Sequence, residues 1–466
     1  MPSAMERNLS EGHVLRTLLR FALPFIASNM VQSFYNVADM LIVGWFAGPN
    51  SMSGVNIGGQ ITFILTNIII GLCMGATALI GQYMGAGNRK ALEKVTSTII
   101  TLLVVGAAVI TALMLVLKRP MLLLMQTPTE SYFESDRYLT VTVIGLVFIF
   151  GYNALSAILR GMGDSKHPFY FVLTACVTNI ALDFLFVAGF HWASFGAALA
   201  TIISQAISMF LCISFMIRNR FHFDFKFRSF AIDRAQCKLI FKIGLPTAVQ
   251  NGVTSLSFLF LTAIVNIVGG VNASAGVGAV GKFNSFAFMP AAAISASVST
   301  MSAQNIGAGR MDRAIKSCWQ GCLLAAVITY AFFALVQLFP DQIVALFSDD
   351  RNVIEAGALY LKSFSFDFLL IPFIFCLNSF LIGGGHSVFS LFTGMLSAVL
   401  LRVPVCYLIG VTLGQGLYGV GWGAPAASTG ALIAIAIFML SGRWKHNAIQ
   451  AADPPEDLEA RLETDT

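Results

Sequence analysis

The sequence predicts an all-α polytopic membrane protein, with twelve transmembrane helices in two six-helix lobes related by a pseudo-two-fold along the membrane normal. Three observations predict it: an apolar composition, an internal repeat at one fixed offset, and an uneven distribution of bases along the chain. Of the 466 residues, 57% are hydrophobic and only 11% charged, with a mean hydropathy of +0.78. Ordinary soluble domains carry roughly 45–50% and about 25%. The charges cannot cover a soluble protein of this size, so a water-soluble globule is excluded. A spanning helix needs roughly 20 apolar residues, and runs of that length recur along nearly the whole chain.

Taken in order, apolar segments fall near residues 18–46, 54–82, 94–117, 138–160, 168–190 and 195–217. A second set falls near 240–269, 275–305, 317–339, 356–384, 389–413 and 419–441. The first run is too long for a signal-peptide core and ends at no small-residue cleavage site, so it reads as a span. The only long polar connector runs from Arg218 to Lys242 and carries seven bases. The expected domains are therefore an N-terminal lobe, 1–225, a C-terminal lobe, 226–446, and an acidic, Pro-containing tail, 447–466, expected to be disordered. Eight cysteines lie singly in apolar segments, with no facing Cys or His pair, and read as small core residues.

The repeat is carried by separated anchors with almost no drift. The offset from Pro24 to Pro246 also relates Asn29 to Asn251, and Gln82, Gly85 and Gly87 to Gln304, Gly307 and Gly309. It relates Tyr138-Leu139 to Tyr360-Leu361, and Gly161 and Gly163 to Gly383 and Gly385. The halves are duplicates. Six spans is an even number, so both halves keep one orientation, the design of a transporter built from parallel repeats. With both termini cytoplasmic, 21 of the 28 Lys and Arg fall on the cytoplasmic side and 5 outside, leaving Lys282 and Arg402 within spans. That is the positive-inside pattern. It accounts for the basic connector without nucleic acid; the expected location of such a multi-pass chain is the plasma membrane, the inner membrane of a bacterium.

An ionisable side chain at mid-span costs roughly 2.5–3.5 kcal/mol on insertion scales, so each is a functional candidate. On the first span Asn29, Gln32, Asn36 and Asp39 step by three and four residues, one polar stripe with Tyr35 beside it. On the fifth, Asn179 and Asp183 stand four apart on one face; on the sixth, Thr201, Ser204, Gln205 and Ser208 are in similar phase. At the repeat positions of Asp39 and Asp183 the second half has Leu261 and Val405. Oxygen ligands beside carboxylates suit Na⁺, and the same carboxylates, if desolvated, can carry H⁺; both remain open. Pro24 lacks an N–H and is expected to hinge the first span. Lys282 and Asp367 lie towards the outer thirds of their spans, where snorkelling accounts for them. Arg402 precedes Val403-Pro404 and can reach carbonyls freed by that proline.

These residues carry a resemblance. The stripe LPFIASNMVQSFYNVADMLIVG, GQYMGAGNRKALEKV, ILRGMGDSKHP, NIALDFLFV and GAALAT, with second-half counterparts including FMPAAAISASVSTMSAQNIGAG, resemble the multidrug and toxic compound extrusion (MATE) family over residues 12–442. The resemblance implies a V-shaped cleft between two lobes and export of organic cations in exchange for Na⁺ or H⁺. The chain is most similar to the branch with its cation site in the N-terminal lobe. There the resemblance implies a site of Asp39, Asn179, Asp183 and Thr201, with the carbonyl of Ala197, able to hold Na⁺. It makes Pro24 the bend-forming proline, and Gln32, Tyr35, Tyr138 and Asn153 cavity residues beside Asn36 of the stripe. The other bacterial branch carries acids in spans seven and eight; none stands there in this chain. The expected partners are small organic cations and membrane lipids, with no nucleic acid, no cofactor beyond the coupling ion, and a monomeric chain. Two rival readings are a flippase of lipid-linked saccharides and, on the Gly161-Met162-Gly163-Asp164 pattern, an intramembrane aspartyl protease. The first calls for cavity arginines, whereas the first half has two acids and no mid-span base. The second places its acid in a basic inter-helix loop beside Lys166 and His167.

Overall fold

The computed structural model describes residues 7–219, 221, 223 and 229–445. The acidic tail, 447–466, and the connector bases Arg220, Lys226 and Arg228 lie outside the described residues. Among the described residues every regular element is helical. Eight helices are long and apolar enough to cross a membrane, and two further pairs are spans bent by 49° and 45°. Two of the eight are double. Val14–Ala86 and Arg234–Gly307, of 73 and 74 residues, break at Gly48 and Gly270. Unbroken, each would run about 110 Å at 1.5 Å per residue, against a hydrocarbon core of about 30 Å. The breaks have φ of 80° and 61°, a region open to glycine at little cost. Twelve spans result.

In chain order they are α1 (14–47), α2 (49–86), α3 (Arg89–Leu124), α4 (Thr129–Ile144 with Leu146–Gly161), α5 (Lys166–Gly189) and α6 (Ala193–Arg218). The second set is α7 (234–269), α8 (271–307), α9 (Met311–Leu338), α10 (Arg351–Leu369 with Ile371–Gly383), α11 (Ser387–Thr412) and α12 (Gly416–Leu440). Widened π-helical turns occupy Phe184–Gly189 at the end of α5 and Cys406–Thr412 at the end of α11, positions related by the repeat offset. Such turns concentrate at functional sites.

The chain forms two compact units, Met1–Asn8 with Arg20–Ala248 and Leu9–Leu19 with Val249–Thr466. The division thus falls inside α7 rather than in the polar connector where the sequence suggests it. The cause is packing between small residues. A Cβ on Gly71 of α2 would stand 2.6 Å from the Ala248 backbone, and one on Gly75 would stand 2.7 Å from the Gly244 nitrogen. Tyr83 adds a hydroxyl bond to Gln236 Oε1 at 3.1 Å. In the second unit, Leu9–Leu19 is held by polar groups of α8 and the turn into α9. The Leu9 amide donates to Gln304 Oε1 at 3.0 Å, Arg310 Nη1 to the Ser10 carbonyl at 2.6 Å, and Arg313 to the Gly12 and Glu11 carbonyls.

Each unit has its own apolar core. Ile42, Val43, Val55, Tyr138, Val187, Ala197 and Ala198 gather in the first; Leu261, Val265, Phe364, Phe368 and Val420 gather in the second. All eight cysteines are free, seven of them buried and Cys237 half-buried. Asp164 is fully buried and accepts from the amides of Lys166 and His167 at 3.0 and 3.2 Å, with the His167 ring against its second oxygen. It caps the start of α5, a structural role that occupies the acid of the Gly-Met-Gly-Asp pattern.

Candidate functional site

The polar residues of α1, α5 and α6 meet inside the first unit. Tyr35 and Asp39 stand four apart on α1 and share a face. Asp39 is 7% exposed, Asn179 1% and Asp183 0%. The carboxyl groups of Asp39 and Asp183 face each other, with Tyr35 and Tyr138 around them. Asn179 Nδ2 donates to Thr201 Oγ1 at 3.4 Å, tying α5 to α6. Tyr35 in turn interacts with Gln205 of α6. Tyr138 reaches this site because α2 passes it with glycines. A Cβ on Gly58 would meet the Tyr138 ring at 2.6 Å, and one on Gly54 would meet the backbone at Glu134–Ser135 at 2.9 Å.

Asp39 Oδ1, both Asp183 oxygens and Asn179 Oδ1 are buried without a hydrogen-bond donor. An orphaned buried acceptor is costly, and two adjacent carboxylates without a counter-charge are costlier still. Converging hard oxygens with no donor have the chemistry to hold a small cation or a proton. Among the described residues no group of three or more His, Cys, Asp or Glu gathers to hold a metal, so a transition-metal centre finds no ligand set there. The donor set suits a singly charged ion.

Beside the carboxyls lies a narrow cleft, with a cavity volume of about 20 Å³, between α1, α4, α5 and α6. Its lining includes Gln32, Tyr35, Tyr152, Cys176, Asn179, Thr201, Ser204, Gln205 and Ser208. Of the expected cavity residues, Gln32 and Tyr35 line it and Tyr138 adjoins the carboxyls. Asn36 is exposed and does not line it. Asn153 does not line it either: its Nδ2 donates to the Ile149 carbonyl at 2.8 Å within its own helix. The neighbouring Tyr152 stands in the lining instead, its hydroxyl donating to the Pro168 carbonyl at 3.1 Å. Tyr152 escapes sequence reading because a lone tyrosine in an apolar run resembles an interface anchor; only its phase relative to Asn153 distinguishes it. Ala197 is fully buried one turn before Thr201, within the apolar cluster that holds Tyr138 and Val187. The α1 backbone remains helical through Pro24, and the Ser28 hydroxyl donates to the Pro24 carbonyl at 2.9 Å.

Two expectations for the second half need correction. Asp367 does not snorkel: it is 2% exposed, because the bend in α10 turns it into the core near Phe368. Arg402 does not bond carbonyls through Nε or Nη1, which are buried without partners; its guanidinium lies 5.1 Å over the Phe258 ring. Lys282 is exposed.

The MatE family model matches twice, over residues 24–185 and 246–408, starting each time at the repeat-related proline. The chain belongs to the MatE family. Among its relatives, the probable multidrug resistance protein YpnP of Bacillus subtilis is 28% identical over 94% of this chain and 97% of its own length. The probable multidrug resistance protein NorM of Thermotoga maritima is 26% identical over 96% of both chains. A solved structure described as the outward-facing conformation of a multidrug resistance MATE family transporter of the MOP superfamily superposes with a TM-score of 0.86. It covers 96% of this chain and 98% of its own, at 22% identity, a likeness of fold. The protein is thus a multi-pass MATE family efflux transporter with the twelve-span, two-lobe architecture of that family.

Proposed function

We propose that this MATE transporter exports amphipathic organic cations from the cytoplasm in exchange for external Na⁺ or H⁺, which binds between Asp39 and Asp183 of the N-lobe. One observation carries the reading: two buried carboxyls face each other with three orphaned oxygens and no cationic partner. The pair needs a positive charge to be stable, and an antiporter supplies one alternately as coupling ion and as cargo. Asn179 and Thr201 would complete the ligand set, with the Ala197 carbonyl as a further oxygen. The cleft with its tyrosines and amides takes the cargo, aromatic faces favouring flat cations.

Cation entry from outside neutralises the pair, removes the attraction for a cationic cargo and favours bending of α1 about Pro24, where the missing N–H lowers the cost of a kink. The cleft shrinks and the cargo leaves outward; loss of the cation to the cytoplasm restores the charge. One charge crossing 100 mV supplies roughly 2.3 kcal/mol, enough for about a 50-fold gradient of a neutral cargo exchanged one for one. A cationic cargo at that stoichiometry gains no net voltage drive and relies on the chemical gradient. The cleft lining contains no Lys or Arg, which disfavours a pyrophosphate-linked cargo of the flippase type. The reading places the chain in the plasma membrane with both termini cytoplasmic, working as a monomer with lipids around it, without nucleic acid or a cofactor.

The test is transport by the purified protein in liposomes, with Na⁺ and pH gradients imposed separately. Uptake or release of a fluorescent organic cation should follow one gradient and not require the other. Transport of anionic compounds alone would overturn the reading.

A further inference from the structure

The repeat that builds the N-lobe site has a second copy, and its residues have changed sign. The fixed offset carries Tyr138 onto Tyr360, Asp39 onto Leu261, Asn36 onto Phe258 and Ile180 onto Arg402. Phe258, Leu261, Tyr360 and Arg402 line one pocket in the second unit. The π-helical turn that follows Asp183 in α5 recurs at Cys406–Thr412 in α11, where Arg402 itself ends a second π-helical stretch, Leu396–Arg402, that α5 lacks. Where the first copy has an acid pair lacking a cation, the second has a cation lacking hydrogen-bond acceptors at Nε and Nη1.

A carboxylate also lies within this region. Asp367 is buried with Oδ1 unpartnered and Ser428 facing it; the charge of Arg402 acts on it more weakly than burial and Ser428 do. Among the described residues the two form no direct ion pair at contact distance. Phe258 supports the guanidinium through its ring face at 5.1 Å. A delocalised, weakly hydrated guanidinium is the cationic side chain best suited to such a site.

We infer that Arg402 is a built-in cation of the C-lobe: its guanidinium sits, on a covalent tether, in the copy of the N-lobe cation site and balances Asp367, so that this lobe takes no ion from solution. The inference deepens the proposed antiport by assigning ion exchange to the N-lobe alone, and its antiport consequence rests on that reading. The charge pairing itself does not, and it is tested without transport.

Truncating Arg402 removes a positive charge that acts on the buried Asp367, a destabilising change, and opens a cavity shaped for the lost group. The Arg402→Ala protein should therefore unfold at a midpoint lower by about 5 °C or more in detergent. Millimolar guanidinium or methylguanidinium chloride should raise that midpoint and saturate, while lowering or leaving unchanged the midpoint of the unsubstituted protein. Potassium chloride at matched ionic strength should not substitute. Adding Asp367→Asn should recover stability in the Arg402→Ala background and abolish the response to guanidinium. Should Arg402→Ala not purify, the double variant carries the test: it must purify and exceed any yield of the single one. The inference is overturned if guanidinium affects unsubstituted and Arg402→Ala proteins alike, or if the double variant is no more stable than Arg402→Ala. Failure of gradient-driven transport in the unsubstituted protein would sink the antiport reading and leave these midpoints untouched.

Discussion

In the proposed antiport Asp39 and Asp183 act as a unit, because neither has a donor of its own and each faces the other. Asp39→Asn and Asp183→Asn should each abolish gradient-driven export in proteoliposomes while leaving folded protein in the membrane. Near-normal coupled transport by the double variant would refute the site. Thr201→Val removes the hydroxyl that accepts from Asn179 and keeps the shape of the side chain. If Na⁺ is the coupling ion, the half-saturating Na⁺ concentration should rise about tenfold, the equivalent of roughly 1.4 kcal/mol; an unchanged value would remove Thr201 from the ligand set. That Asp39 and Asp183 would be buried together was legible in the sequence, because a carboxylate in a bilayer is too costly to face lipid. The swap between Asn153 and Tyr152 was not. Adjacent residues on a helix differ by about 100° in direction, and residue type alone does not reveal which of the two faces the cleft.

Among the elements, the seam of α2 and the start of α7 depends on the absence of side chains. Gly75→Leu should sharply reduce the yield of folded protein, since even its Cβ would stand 2.7 Å from the Gly244 nitrogen and 2.9 Å from the Ile240 carbonyl. Gly106→Ala, at a position open to space, should express normally; size-exclusion profiles of the two variants make the comparison. All twelve spans could be placed from hydropathy, because length and apolarity are properties of each segment by itself. The join at Gly48 was marked too, by Gly48-Pro49-Asn50-Ser51 between the segments ending at 46 and starting at 54; what hydropathy does not give is that the chain turns on one glycine of positive φ with helix on both sides. Nor does it give the π-helical turns: five-residue hydrogen-bond spacing has no periodic signature within six or seven apolar residues.

For the molecule as a whole, the duplicated halves and the excess of bases on one side make a topological prediction. Single cysteines at Asn50 and Asn272, both exposed beside the breaks between paired spans, should react with an impermeant thiol reagent added outside cells. One at Lys445 should react only after permeabilisation. The native cysteines interfere little, as seven of the eight are buried. The reverse labelling pattern would invert the orientation and with it the direction of transport.

The division of the chain into units bears on ancestry. Residues Leu9–Leu19, ahead of Pro24, belong with the second unit, while the stretch up to Ala248, which reaches just past the repeat-related Pro246, belongs with the first. Each lobe is therefore completed by the leading arm of the other's coding half. Before the duplication was fused into one gene, two identical chains obeying the same rule would have been a domain-swapped pair, neither able to finish folding without its twin. The present protein should inherit that dependence. Cut within the connector and produced as separate fragments, the halves should accumulate only when made together.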